Sequence, residues 1–266
     1  MEIINVSKEF FDENDKDIIE LLNNNFASEI IEKLYFLPKK INRDVISKKL
    51  DDKSYLNKIK NTINYFKGKN IEKLISQKFK HYEEDTNTKL INGKLFVIIG
   101  LDTTTIYSVK IDGEDVTVLL LEATNGQEDI LDMLLAHEFT HFIRRQLLNH
   151  DIFESSIGER FVTEGIASNY SREVVPNKQD WEYCIVNENN VIWVKNNINK
   201  LEDHMVNKKN TPELMSDYFY MFADTNITGM PVRTGYVYGY LKVKEYLEAN
   251  NLKVKDIIGI NWQEII

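Results

Sequence analysis

The sequence predicts an α+β protein with a helical amino-terminal region over residues 1–90, then a small, mostly antiparallel sheet, then a mainly helical core. Two observations predict that order. The apolar spacing changes near residue 90, from steps of three and four residues to short runs rich in β-branched and aromatic side chains. A long apolar segment without Gly or Pro then runs from Ile130 to Leu148, with His137, Glu138, Phe139, Thr140 and His141 at its centre. That pentapeptide is H-E-x-x-H, so the helical core also carries a candidate metal site.

In the amino-terminal region, Ile18, Ile19, Leu21, Leu22, Phe26, Ile30, Ile31, Leu34 and Tyr35 form a helical apolar series that ends before Pro38. A second stripe, Leu56, Ile59, Ile63 and Phe66, stops at Gly68, and a third contains Ile71, Leu74, Ile75 and Phe79. This region is expected to pack on a second domain spanning residues 91–266. Leu95–Gly100, Thr104–Ile111 and Val116–Leu121 read as strands, and Asp112-Gly113 between the last two is a hairpin signal. An edge strand there could bind an extended peptide or merely support the following helix. Leu131, Leu135, Phe139, Phe142 and Ile143 mark the buried stripe of that helix, which Asn125 and Gly126 precede and Glu128 and Asp129 begin. Further helices are expected at Phe161–Tyr170, Met215–Ala223 and Val237–Ala249, with Trp181, Trp193 and Trp262 as packing residues.

The 266 residues are 42% hydrophobic, enough for a substantial core. A formal net charge of -9 argues against a nucleic-acid surface. Cys184 is the single cysteine, so no intrachain disulfide is possible. The acidic start lacks the pattern of a secretory signal, and no apolar run approaches a membrane span, so a cytoplasmic protein without membrane partners is expected.

On a helix, His137 and His141 lie one turn apart on one face, where both imidazoles can close on one Zn²⁺. Glu138 beside them can take a proton from a zinc-bound water. A chance match in this composition is expected on the order of one time in a hundred. The bland alternative is an amphipathic helix whose histidines decorate a polar face.

A catalytic zinc usually has a third protein ligand. His81, His150 and His204 lack a supporting pattern, and the metzincin spacing is absent because Arg144 and Leu147 stand where its Gly and last His would be. Glu164 is the leading carboxylate, because Gly165 and Ala167 would let its helix pack closely on the motif helix; Glu159 is second. An ordinary surface role for Glu164 stays open. Tyr236 is a candidate donor to a tetrahedral oxyanion, and Arg233 could bind a substrate carboxylate or pair with an acid. Tyr238 and Tyr240 read equally as a packing seam.

His137–His141 followed by Thr163–Ala167 resembles the gluzincin class of zinc metallopeptidases. More closely, Leu135–Arg144, Thr163–Ala167 and Arg233–Tyr240 resemble a family of predicted zinc-dependent proteases long catalogued as a domain of unknown function, over roughly residues 90–266. The resemblance implies a zincin-like fold, one zinc ion, His137, His141 and Glu164 as ligands, Glu138 as general base, and a peptide or protein substrate. Where thermolysin-like enzymes carry an Asp one turn after the ligand Glu, this chain has Ser168, so a partner for the histidines would come from Asp132, Glu128 or Asp129. The rival readings are a metal-binding or regulatory protein of the same fold without turnover, a helical interaction protein, and a zinc amidase acting on a non-peptide substrate.

Overall fold

In the computed structural model, which describes residues 1–11, 18–26, 48–99, 105–111, 114–149, 155–205, 209–210 and 229–266, the chain is α+β with one mixed four-stranded sheet. The strands are β1 (Glu2–Asn5), β2 (Lys94–Ile98), β3 (Ile106–Ile111) and β4 (Glu114–Leu120). The helices are α1 (Ile18–Phe26), α2 (Lys53–Phe66), α3 (Ile71–Thr86), α4 (Glu128–Leu148), α5 (Ile157–Val174), α6 (Asp180–Tyr183), α7 (Glu188–Met205), α8 (Thr234–Asn250) and α9 (Val254–Ile257). Residues 1–81 and 90–135 form one compact unit, and residues 82–89 and 136–266 form the other.

The first unit holds the sheet, in the order β1-β2-β4-β3. β3 and β4 form the expected antiparallel hairpin, with Ile106 opposite Leu119 and Val109 opposite Val116. The other two pairings, β1 with β2 and β2 with β4, are parallel, which corrects the expectation of a mostly antiparallel sheet. The physical reason lies in β4. Val116 through Leu120 are buried without interruption, so both faces of this strand are covered, the environment that parallel neighbours need. β1 also corrects the expectation of an all-helical start. Four residues are too few to display a period, and β1 is fixed by pairing with residues some 90 positions away. Ser7, just beyond it, accepts a 2.8 Å hydrogen bond from the Ile99 backbone N–H.

Helix α2 starts where Asp52 caps the Ser54 and Tyr55 backbone N–H groups, and it buries Tyr55, Ile59, Thr62 and Phe66. Helix α3 buries Ile71, Ile75, Phe79 and Tyr82. Ile30, Ile31, Leu34 and Tyr35, and the expected helix at Met215–Ala223, lie outside the described residues. A turn at Asn125 and Gly126, both left-handed, leads into α4. Gly126 is required there, since a Cβ would lie 2.6 Å from the Asn61 carbonyl oxygen. Among the described residues, no helix is long and apolar enough to cross a membrane.

In the second unit, most of α5 and the first half of α8 are buried, and the two helices cross at their backbones. A Cβ on Gly165 would stand 2.3 Å from the Gly239 carbonyl oxygen, and one on Gly239 would stand 2.1 Å from that of Phe161. Gly165 therefore serves the contact with α8, not the close packing on the motif helix that the sequence suggested. Asn169 Nδ2 donates across the same crossing to the Tyr240 carbonyl at 3.1 Å. The α4 and α5 helices meet through side chains, aromatic rings among them. Phe139 and Tyr170 lie 6.0 Å apart, and Tyr82 packs edge-on against both at 5.6 and 5.9 Å. Trp262 packs over Gly158, and Tyr238 over Phe161, so both are core residues. Asp180 ties α6 to two helices, accepting from Lys195 on α7 and from Tyr240 and Lys244 on α8.

Gly165→Ala and Gly239→Ala are each expected to lower stability by about 1–3 kcal/mol through overpacking, read as a fall in the urea midpoint. An unchanged midpoint would mean that the helices can separate freely. A pH effect follows from Asp180. Burial opposes its ionisation, but Lys195, Tyr240 and Lys244 outweigh it and hold the pKa at about 2, against a usual 3.8. With the folded value depressed, the stabilisation is full above pH 4 and is lost as pH falls toward 2. Partial exposure of the Asp180 side chain to solvent limits it to about 1 kcal/mol. Asp180→Asn should therefore be less stable than the natural chain at pH 6, with the gap closing between pH 4 and 2; a gap independent of pH would contradict this.

Candidate metal centre

Helix α4 is buried nearly all round from Met133 to Arg144, so its polar residues there must find partners inside the protein. Thr140 does so locally, donating to the Ala136 carbonyl at 3.0 Å. His137 and Glu138 are 7% and 4% exposed, and His141 lies one turn on with its ring 4.7 Å from that of His137. The ligand atoms of His137, Glu138 and His141 all fall within 4.8 Å of one another.

Helix α5 brings Glu164 to the same point. Its start is set by Ser156, whose hydroxyl accepts from the Glu159 backbone N–H. Glu164 is 3% exposed, with Oε2 3.1 Å from His137 Nε2 and 3.4 Å from His141 Nε2. Its other oxygen, Oε1, is 3.3 Å from Arg160 Nη2 one turn earlier. Burial opposes ionisation of Glu164, but His141, Arg160 and the hydrogen bonds to both imidazoles outweigh it and hold the carboxyl well below the usual carboxylate range.

These contacts fit a divalent metal. Zn–N and Zn–O bonds of 2.0–2.2 Å put tetrahedral ligand atoms about 3.3–3.6 Å apart, close to the Oε2 to Nε2 separations of 3.1 and 3.4 Å. Two imidazoles and a carboxylate are also a donor set suited to zinc. Glu138 Oε2 and His137 Nδ1 are buried without a hydrogen-bond partner among the described residues. The candidate second partners of the histidines are engaged elsewhere: Asp132 and Glu128 both pair with Lys78, and Asp129 Oδ1 accepts from the Ile130 backbone N–H.

Glu159, the second candidate carboxylate, is committed to another network. Its Oε1 accepts from Arg144 Nη2 at 2.6 Å and from the Thr163 hydroxyl at 2.8 Å. Arg144 is 2% exposed and also donates to the Ile258 and Ile260 carbonyls. The residue that breaks the metzincin spacing thus fastens the carboxy-terminal segment to α4 and α5. His81 is exposed, while His150 and the side chain of His204 lie outside the described residues.

Tyr236 and Arg233 lie at the start of α8. Tyr236 is buried, and burial together with the charge of Glu164 pushes its phenol pKa up, so it keeps its proton as a donor. The Arg233 guanidinium lies 4.2 Å from the Tyr236 ring centroid and donates to the Ile185 carbonyl. Both Arg233 and Ile185 have positive φ, of 64° and 53°, an uncommon backbone state held at each end of that hydrogen bond. Tyr240, by contrast, donates to Asp180 and stacks on Tyr183, a packing role. Arg160 is the site residue missed in the sequence. Its signal was the R-x-x-x-E spacing, which puts Arg160 and Glu164 one turn apart.

The model of a family described as predicted Zn-dependent protease (DUF2268) matches residues 69–266. The chain belongs to that family. The match begins some twenty residues before the span of the sequence resemblance and so takes in all of α3. No curated protein and no solved structure matches the chain.

Removing Glu159 leaves the Arg144 charge buried without its counter-ion. Glu159→Ala in this DUF2268 protein is expected to lose about 3 kcal/mol or more of stability, read by urea unfolding, while its metal content per folded chain stays that of the natural protein. Loss of metal at unchanged stability would instead put Glu159 in the metal centre.

Proposed function

We propose that the protein is a gluzincin-type zinc metallopeptidase of zincin-like fold, with His137, His141 and Glu164 holding one zinc ion and Glu138 acting as general base. The observation that carries this reading is the single oxygen of Glu164 lying 3.1 and 3.4 Å from the two imidazole nitrogens of the H-E-x-x-H turn. Glu164 is preferred to Glu138 as the third ligand because Glu164 Oε2 already stands at ligand-to-ligand distance from both histidines. Family membership supports the reaction class. A bound zinc supplies a Lewis acid for a peptide carbonyl and makes water acidic enough to ionise near neutral pH.

The chain's own residues supply the rest. Glu138, with an unpartnered carboxylate oxygen, takes a proton from water and passes it to the leaving amine as the peptide bond breaks. Tyr236, protonated and under the influence of Glu164, donates to the developing oxyanion. Arg233 holds the Tyr236 ring in place and contributes to substrate binding with the guanidinium surface left over. The substrate is a peptide or protein.

Glu138→Gln is expected to keep zinc and lower peptide turnover by about 10²-fold or more. Glu164→Ala and His137→Ala should lose zinc itself. A peptide-library assay with and without chelator reads all three. Full turnover by Glu138→Gln would remove the mechanism, and a zinc-loaded natural protein that cleaves no peptide would favour the metal-binding alternative.

A further inference from the structure

The two oxygens of Glu164 have different neighbours. Oε2 faces both imidazoles, at 3.1 and 3.4 Å, while Oε1 is 3.3 Å from Arg160 Nη2. Arg160 is one turn before Glu164 on α5, so the helix itself sets the spacing of the pair. The Glu164 side chain is 3% exposed and that of Arg160 is 23%, so the pair sits where Coulomb attraction is poorly screened on the carboxylate side. A carboxylate free to rotate can present both oxygens to a metal. Occupying a further coordination position in that way removes the open place that a catalytic zinc needs.

We infer that Arg160 is a positioning residue for the metal centre. By holding Oε1 it makes Glu164 a one-oxygen ligand through Oε2 and keeps one coordination position open. The inference rests on the zinc reading above. In this role Arg160 acts through Glu164 and not on the reacting atoms. A lysine at this position keeps the positive charge, and a methionine keeps much of the length while removing the charge and the donors.

The full-length chain and its Arg160→Met and Arg160→Lys variants are to be compared in two measurements. One is zinc affinity by competition with a chromogenic chelator. The other is the visible spectrum after cobalt substitution, whose intensity falls when four-coordinate metal becomes five-coordinate. Arg160→Met should bind zinc about 10- to 100-fold more weakly, the usual effect of losing a residue that orients a ligand, and should show weaker cobalt bands. Arg160→Lys should stay within a few-fold of the natural chain and keep the intense bands. Should Arg160→Met lose its fold, Arg160→Gln carries the same expectation. Unchanged affinity and an unchanged cobalt spectrum in the neutral variant would overturn the role of Arg160 while leaving the zinc centre standing. A natural chain that binds no zinc would overturn both.

Discussion

A carboxylate buried as Glu164 is must be surrounded by cationic or donating groups, because its charge has almost no water to share it with. His137, His141 and Arg160 meet that need, and they come from only two helices. The arrangement is open to a divalent cation because both imidazoles address the same oxygen. Two rings and one carboxylate around a common point are what a metal can replace as the shared partner. The architecture of the second unit holds the two helices in the registers that keep this point intact.

Three separate contacts provide that hold. Phe139, one residue past Glu138, packs with Tyr82 and Tyr170, so the motif turn cannot rotate without breaking an aromatic cluster. Gly165, one residue past Glu164, lets α5 touch the α8 backbone, where any side chain would push the helices apart. Arg144, one turn past Thr140, fastens α4 to α5 through Glu159 and to the carboxy-terminal segment through two carbonyls. Each contact lies within one turn of a residue of the centre. The crossing at Gly239 also fixes α8, and with it Tyr236 and Arg233 at its start.

The parts legible in the sequence were those coded by local spacing. H-E-x-x-H on an apolar helix, the helix through Thr163–Ala167, the antiparallel pairing of β3 with β4 and the α2 and α3 stripes all depend on neighbours within a few residues. What escaped depends on distant partners. β1 is a strand only because Lys94–Ile98 lies beside it, and that pairing also made the sheet mixed. Gly165 reads as a close-contact residue, yet which helix it touches is a property of the assembled unit. In the sequence Arg144 shows only as a break in a spacing, since its partners include Ile258 and Ile260, more than a hundred residues on. Arg160 is the exception, a local i to i+4 pair hidden because such pairs are common on solvated helix faces.

Whether His137, His141 and Glu164 together hold one zinc ion is decided by X-ray absorption at the zinc edge of protein loaded with one equivalent. A tightly held ion is expected, with nitrogen and oxygen neighbours at about 2.0–2.1 Å and the scattering pattern of two imidazoles, lost in His141→Ala. A shell lacking imidazole scattering, or a chain that retains no zinc through gel filtration, would contradict it.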